Sequence, residues 1–342
     1  MAKKYSIDNE ALHFMRIEQY VKMIEKLYEE AITEASTIDW KIDPNKPFSF
    51  DSTPKTKAKI DKIIKSLNYG VFSAINEATR LEWIKAVENK DELAKSYLRA
   101  KFTEEQKLLR ANRNLEALQS FQQRKIDGLR LSDKVWRYTN QFKGELEMAL
   151  DIGIGDGKSA ASLGRELRMY LNEPDKLFRR VRDKYGNLQL SKNAKKYNPG
   201  PGVYRSSVKN TMRVARTEIN MAYRTSDYEK NQQLDFVLGF EVFRSNTHFD
   251  CPICERLKGK YPKTFKWTGW HPQDRCHVRT ILADEDEFIE YQLSSDKENF
   301  KFSNTVTKIP KEFNNWYKEN GDRIATSKKN GTVPYFIRDN NL

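Results

Sequence analysis

Residues 248–277 read HFDCPICERLKGKYPKTFKWTGWHPQDRCH. All three cysteines of the chain, Cys251, Cys254 and Cys276, fall in this stretch. So do three of the four histidines, His248, His271 and His277. Cys251-Pro-Ile-Cys254 is a knuckle spacing that aims two sulfurs at one point, and His271 and Cys276 follow at the separation of a second half-site after a short loop or hairpin. Three thiolates and one imidazole suit a closed, tetrahedral, structural zinc ion. Lys258, Gly259 and Lys260 are expected to turn the chain back between the half-sites. Lys258, Lys260 and Arg275 are expected to favour thiolate over thiol.

Other chemistries use the same residues. Three free buried cysteines need no metal. A redox CxxC pair normally sits beside a βαβ pattern, which is missing here. A disulfide leaves one cysteine over. A catalytic zinc keeps an open position, and His248, Asp250, Asp274 and His277 are near enough in sequence to supply one.

Around this stretch the chain is polar: of 342 residues, 38% are hydrophobic and 32% charged, with fifteen glycines and eleven prolines. That balance favours long amphipathic helices over a β-sandwich. The fold class expected is mainly α, with long helices followed by a small α+β zinc-stapled C-terminal module. The start, MAKKYSIDNEALHF, has no apolar run behind its basic residues and does not read as a signal peptide. No apolar run approaches the ~18 residues that span a bilayer. A soluble protein of a reducing compartment is expected, with no membrane partner.

Four regions are expected: helical residues 1–128, a helical region with a basic loop at 129–204, a zinc-binding module at 205–294, and a polar tail at 295–342. Helices are expected at 8–35 and from Ile60 to about Leu98, the second marked by Ile60, Ile63, Ile64, Leu67, Val71 and Ile75. Gly70 reads as a bend. His13, alone on the first helix, reads as a packing or surface residue. A further helix is expected from the capping box at Thr103 to Arg124, and another after Ser132 and Asp133. Ser206 to Gln233 is a helix with Met212, Ala215, Ile219 and Ala222 as its buried stripe. Its Arg216, Thr217, Glu218, Asn220 and Tyr223 read as ordinary exposed or half-buried residues. Strands are expected from Gly239 to Phe243 and from Val278 to Leu282. Trp316, Tyr335 and Phe336 imply that the tail docks on this chain or on a partner.

Asp151-Ile-Gly-Ile-Gly-Asp-Gly-Lys-Ser159 has the look of a phosphate loop. Walker A spacing requires glycine where Ile152 stands, and a helix rather than a strand precedes it. A helix end followed by a new N-cap is the better reading.

Residues 172–216 hold twelve Lys/Arg against three Asp/Glu, a local excess of nine in a chain of net charge +13. Arg179, Arg180, Arg182 and Lys184 are clustered, and Lys195 and Lys196 follow, with Tyr185 and Tyr197 between and beside them. Cations with occasional aromatics suit phosphate contact and base stacking, and a solvated basic loop has the same composition. This charge implies an anionic partner, or at least a protein that does not repel nucleic acid.

One set of residues carries a family resemblance. Arg216-Thr217-Glu218 with Asn220, then Gly239 and a strand, then Cys251-Pro-Ile-Cys254 with Leu257 and Gly259, then Gly269-Trp-His271-Pro272 and Arg275-Cys276 resembles the C-terminal domain of phage Mu F-like minor head proteins, also called phage head morphogenesis proteins. The resemblance covers about residues 205–283, and less distinctively 129–204. The family pattern ends His-Pro-x-Cys-Arg-Cys, whereas this chain has His271-Pro-Gln-Asp274-Arg-Cys276. Asp274 thus stands where the family has cysteine, and either Cys276 or an Asp274 oxygen completes the metal set.

The resemblance implies a virion component inside the capsid, made in the bacterial host cytoplasm and acting in head assembly. It implies the portal protein and the capsid or scaffold as partners, with packaged DNA a further one. It requires no catalysis. A metal-dependent nuclease of the ββα-metal type, or a toxin-like relative, is the alternative, with His271 or His277 activating water.

Overall fold

The structure, a computed structural model, describes residues 2–38, 48–98, 113–155, 160–173, 181–182, 184–189, 203–245 and 250–342. It is mainly helical, with a small antiparallel sheet near the C-terminus, as the sequence leads one to expect.

The helices are α1 (Ala2–Ser36), α2 (Pro54–Tyr97), α3 (Leu115–Gln123), α4 (Leu131–Gly155), α5 (Ala160–Asn172), α6 (Ser207–Gln232), α7 (Pro252–Arg256), α8 (Glu285–Leu293), α9 (Lys311–Glu319), α10 (Gly321–Lys329) and α11 (Tyr335–Arg338). The strands are β1 (Val181–Arg182), β2 (Leu188–Gln189), β3 (Val237–Phe243), β4 (Gly259–Pro262) and β5 (His277–Leu282). Among the described residues no helix is long and apolar enough to cross a membrane.

The chain divides into two compact units that do not follow sequence order. One comprises residues 18–76 and 128–216, the other residues 1–17, 77–127 and 217–342.

In the first unit the apolar stripe of α2 is buried as its spacing implies, with Ile60, Ile63, Ile64, Leu67, Val71 and Ile75 all in the core. Gly70 does not interrupt the helix. Its role is close approach: a Cβ there would stand 3.3 Å from Leu27 Cδ1. The start of α6 is satisfied by side chains, as helix ends require. Ser206 Oγ accepts the Lys209 N–H at 3.2 Å, and the buried Glu145 accepts the Ser207 N–H at 2.8 Å. Asp133 lies inside the first turn of α4 and accepts the Arg130 N–H at 2.9 Å. The strands β1 and β2 form a short antiparallel hairpin around Lys184, Tyr185, Gly186 and Asn187, all exposed.

In the second unit, of the helix expected at 103–124, residues 103–112 lie outside the described residues, and α3 covers Leu115–Gln123. Arg113 and Asn114 are not helical, and Asn114 takes a left-handed φ of 49° that no helix interior tolerates. The capping box at Thr103 lies outside the described residues, as do Asp156 to Ser159. The sheet has the order β4-β3-β5, antiparallel throughout. β3 begins at Val237, two residues before the expected opening glycine. Gly239 sits inside the strand because a Cβ would meet the Tyr261 carbonyl oxygen at 2.8 Å and Val306 Cγ2 at 2.8 Å. The Lys258–Lys260 turn is in part a strand, since Gly259 and Lys260 pair with β3.

The tail docks on its own chain. Phe313, Ile324, Phe336 and Ile337 are buried in one core with Tyr261, Phe265, Trp267, Trp270, Cys254 and Cys276. Asn340 completes the closure by accepting the Lys266 N–H at 2.7 Å and donating to the Lys266 carbonyl at 2.9 Å. Fixing that terminal segment keeps water from the rings around the cysteines.

Candidate metal centre

Local geometry explains why the four expected ligands meet. Cys251 is the residue before α7, Pro252 opens that helix, and Cys254 lies on its first turn. A cap residue and the residue three beyond it point to the same side. The two Sγ atoms accordingly lie 2.9 Å apart. His271 Nε2 is 3.2 Å from Cys251 Sγ and 3.1 Å from Cys254 Sγ. Its other nitrogen, Nδ1, lies 2.9 Å from the Pro272 carbonyl. An Nδ1–H donating to that oxygen leaves the Nε2 lone pair facing the sulfurs, the tautomer a metal ligand needs.

Cys251, Cys254 and His271 bring their ligand atoms within 4.8 Å of one another, and so do Cys254, Asp274 and Cys276. The two triples share Cys254 and together hold the four expected residues and Asp274. They lie close together and can hold a metal ion. All three cysteines are free, and Cys254 and Cys276 are buried.

Asp274, which stands with Cys254 and Cys276 as a possible ligand, also ties the local backbone. Its Oδ2 accepts the Trp270 N–H at 2.5 Å, and its Oδ1 accepts the Cys276 N–H at 2.7 Å. Both oxygens thus tie the 270–276 turn that presents His271 and Cys276. Gly269 makes room for this: its φ is +120°, and a Cβ would lie 3.1 Å from Asp274 Cβ. Only glycine adopts that backbone without strain.

Of the groups around Cys254, those that move its thiol most act upward. The hydrogen bond with Cys276 pushes the Cys254 thiol up, and burial, Asp274 and Cys251 push it the same way. Lys258 is turned to Glu255. A metal ion bound at Cys254 would act in the opposite direction, because its positive charge beside the sulfur favours the thiolate. The donor set fits such an ion: three sulfurs and one imidazole nitrogen, half-buried to buried, with the imidazole oriented by a carbonyl.

Glu218, Asn220 and Tyr223, which read as ordinary in the sequence, are buried supports on α6, and so is Arg224, which the sequence does not single out. Thr217 Oγ1 accepts the Gln273 N–H at 3.1 Å, Asn220 Nδ2 donates to the Asp274 carbonyl at 3.4 Å, and Arg224 Nη2 donates to the Cys276 carbonyl at 3.3 Å. Glu218 is paired with Arg124 at 2.6 Å. Thr217, Asn220 and Arg224 recur at i, i+3 and i+7, so a polar stripe at helical spacing was the available signal. Arg216 belongs to the other unit, where it grips Glu18 at 2.8 and 3.0 Å.

Among the described residues, the remaining candidates stand elsewhere in the fold. His277 lies on β5, half-buried and stacked on Phe243 with ring centroids 5.4 Å apart. His248, Arg179, Arg180, Lys195 and Lys196 lie outside the described residues. Arg182 is in β1, and Lys184 stands in the exposed hairpin turn with its Nζ 4.9 Å from the Tyr185 ring centroid.

No family model matches the chain, and neither a curated protein nor a solved structure does.

Proposed function

We propose that this chain is a phage minor head protein, acting in head morphogenesis beside the portal, whose C-terminal module is stapled by a structural zinc ion. Cys251, Cys254, His271 and Cys276 would hold the ion, and Asp274 would organise the turn that delivers two of them. The ion would join α7 to the 270–276 turn and so brace a module with a small sheet.

The observation that carries the reading is a convergence. Of the residues that carry the sequence resemblance, Arg216 falls in the other unit, while Thr217, Glu218, Asn220, Gly239, Cys251, Cys254, Leu257, Gly259, Gly269, Trp270, His271, Pro272, Arg275 and Cys276 fall in one, and Cys251, Cys254, His271 and Cys276 lie close together there. Asp274, the departure from the family pattern, has both oxygens engaged by backbone N–H groups, which favours Cys276 as the fourth ligand.

The cations of the basic segment 172–216 are assigned to packaged DNA or to an acidic portal lumen. The exposed turn of Lys184 and Tyr185 supports that assignment, since it offers a cation and a ring together. The test is biological. The protein is expected to co-purify with the portal protein, and heads made without it are expected to be fewer or non-infectious. Normal infectious heads from a deletion phage would contradict the role. Cleavage of duplex DNA by the purified protein with Mg²⁺ would instead favour a nuclease.

A further inference from the structure

Two side chains of α6 hold the metal turn, and each is held in turn by α1. In the first relay, Asn220 Nδ2 donates to the Asp274 carbonyl while its Oδ1 lies 3.1 Å from His13 Nε2. His13 is fully buried, with Nδ1 2.6 Å from Glu82 Oε2 and its ring stacked on Tyr223 at 3.9 Å. In the second relay, Arg224 donates to the Cys276 carbonyl and grips both oxygens of Glu10. The two carbonyls belong to Asp274, which ties the turn, and to Cys276, a ligand. Remove α1 from this arrangement and a buried guanidinium loses its counter-charge, while an amide bridging two partners loses one.

We propose that occupancy of the metal centre and docking of residues 9–17 are coupled through Asn220 and Arg224, which makes Glu10 and His13 positioning residues of the centre. This rests on the metal reading above. Because coupling of two equilibria is reciprocal, the ion stabilises the docked segment by as much as the docked segment tightens the ion. The N-terminal residues, more than two hundred positions from the cysteines in sequence, are then the point at which a partner that engages α1 would loosen or tighten the staple.

The experiment uses the full chain and Zn²⁺ alone. Affinity is measured by competition with a chromophoric chelator for the wild type, Glu10→Gln, Asn220→Ser and Glu18→Gln. The last breaks the Glu18–Arg216 pair, which also joins α1 to α6 but belongs to neither relay. Far-ultraviolet circular dichroism checks that each variant is helical; Asn220→Ser carries the test should Glu10→Gln unfold. Hydrogen exchange is followed at residues 9–17 with and without the chelator.

Glu10→Gln and Asn220→Ser are expected to bind zinc about 10–100-fold more weakly, the usual cost of losing support behind a ligand. Glu18→Gln is expected to bind as the wild type does, and chelation is expected to speed exchange at residues 9–17. Equal affinity in all four proteins, or exchange at 9–17 indifferent to the chelator, overturns the coupling. Should the wild type take up no zinc, the metal reading fails by itself. The relay is then read from the amides of residues 273–276 in Glu10→Gln: faster exchange than in the wild type supports it, and unchanged exchange overturns it.

Discussion

Arg224 grips both carboxylate oxygens of Glu10 at 2.5 Å, and its guanidinium is only 1% exposed. The pair is an ion pair taken out of water, so its two halves are not independent. Glu10→Ala takes from a buried cation the carboxylate that grips it and is expected to cost about 3–5 kcal/mol. Replacing both residues with apolar side chains of similar size, as in Glu10→Leu with Arg224→Met, is expected to recover much of that loss. Denaturant midpoints of the single and double variants check this. A double variant as unstable as the sum of the singles would contradict it.

Acid is expected to weaken the same unit. Burial alone would raise the Glu10 carboxyl, but the Arg224 charge and its hydrogen bonds outweigh it and hold the group below its ordinary 4.5. Glu82 is likewise held below 4.5, where burial is outweighed by hydrogen bonds from His13 and Arg16. A carboxyl depressed in the folded state contributes stability that is fully present above its unfolded value. That contribution is lost as pH falls through the lower, folded value. Stability of the Cys251→Ser protein should therefore drop as pH falls below about 4.5, and adding Glu82→Gln should flatten the drop. Using Cys251→Ser removes most of the metal's own pH dependence from the comparison.

Two glycines should resist substitution for different reasons. Gly239→Ala pushes a methyl to 2.8 Å from the Tyr261 carbonyl oxygen and is expected to cost about 1–3 kcal/mol. Gly269→Ala meets a strained φ of +120° and Asp274 at once, so it should also lower metal affinity. Thermal midpoints with and without zinc separate the two: zinc should rescue Gly239→Ala more fully than Gly269→Ala.

The folded tail gives an optical test. Phe336 packs edge-on against Trp270 with ring centroids 5.1 Å apart, and 5.6 Å from Trp316. Phe336→Ala is expected to cost about 3–5 kcal/mol and to red-shift tryptophan emission as water reaches the rings. An unchanged spectrum would mean that the terminal helices do not close this core.

The basic segment is tested by salt. If it binds duplex DNA, the logarithm of affinity should fall linearly with the logarithm of salt concentration, by about 0.9 per phosphate contact. Neutralising Arg179, Arg180, Arg182 and Lys184 together should make that line shallower. Affinity that does not respond to salt would remove DNA from the partners proposed.

The sequence made the helical skeleton and the metal cluster legible for a simple reason: both depend on spacing. Ile60 to Ile75 fall on one face of α2, and the residues at 251, 254, 271 and 276 converge through a helix cap and a glycine-permitted turn. What stayed hidden depends on long-range burial. Nothing local distinguishes Asn220 or Arg224 from solvated polar residues until α1 and the 273–276 turn are packed against them. Likewise Trp316, Tyr335 and Phe336 imply that the tail docks, but neither that it docks on its own chain nor which rings it covers. The Asn114 break shows the opposite failure, a local backbone conformation that the apolar stripe of α3 does not encode.

The staple itself is tested most directly by elemental analysis of the purified full chain, wild type beside Cys251→Ser. The account predicts about one zinc per chain in the wild type and much less in the variant. A wild type without stoichiometric metal, or a variant that keeps the same amount, would contradict it.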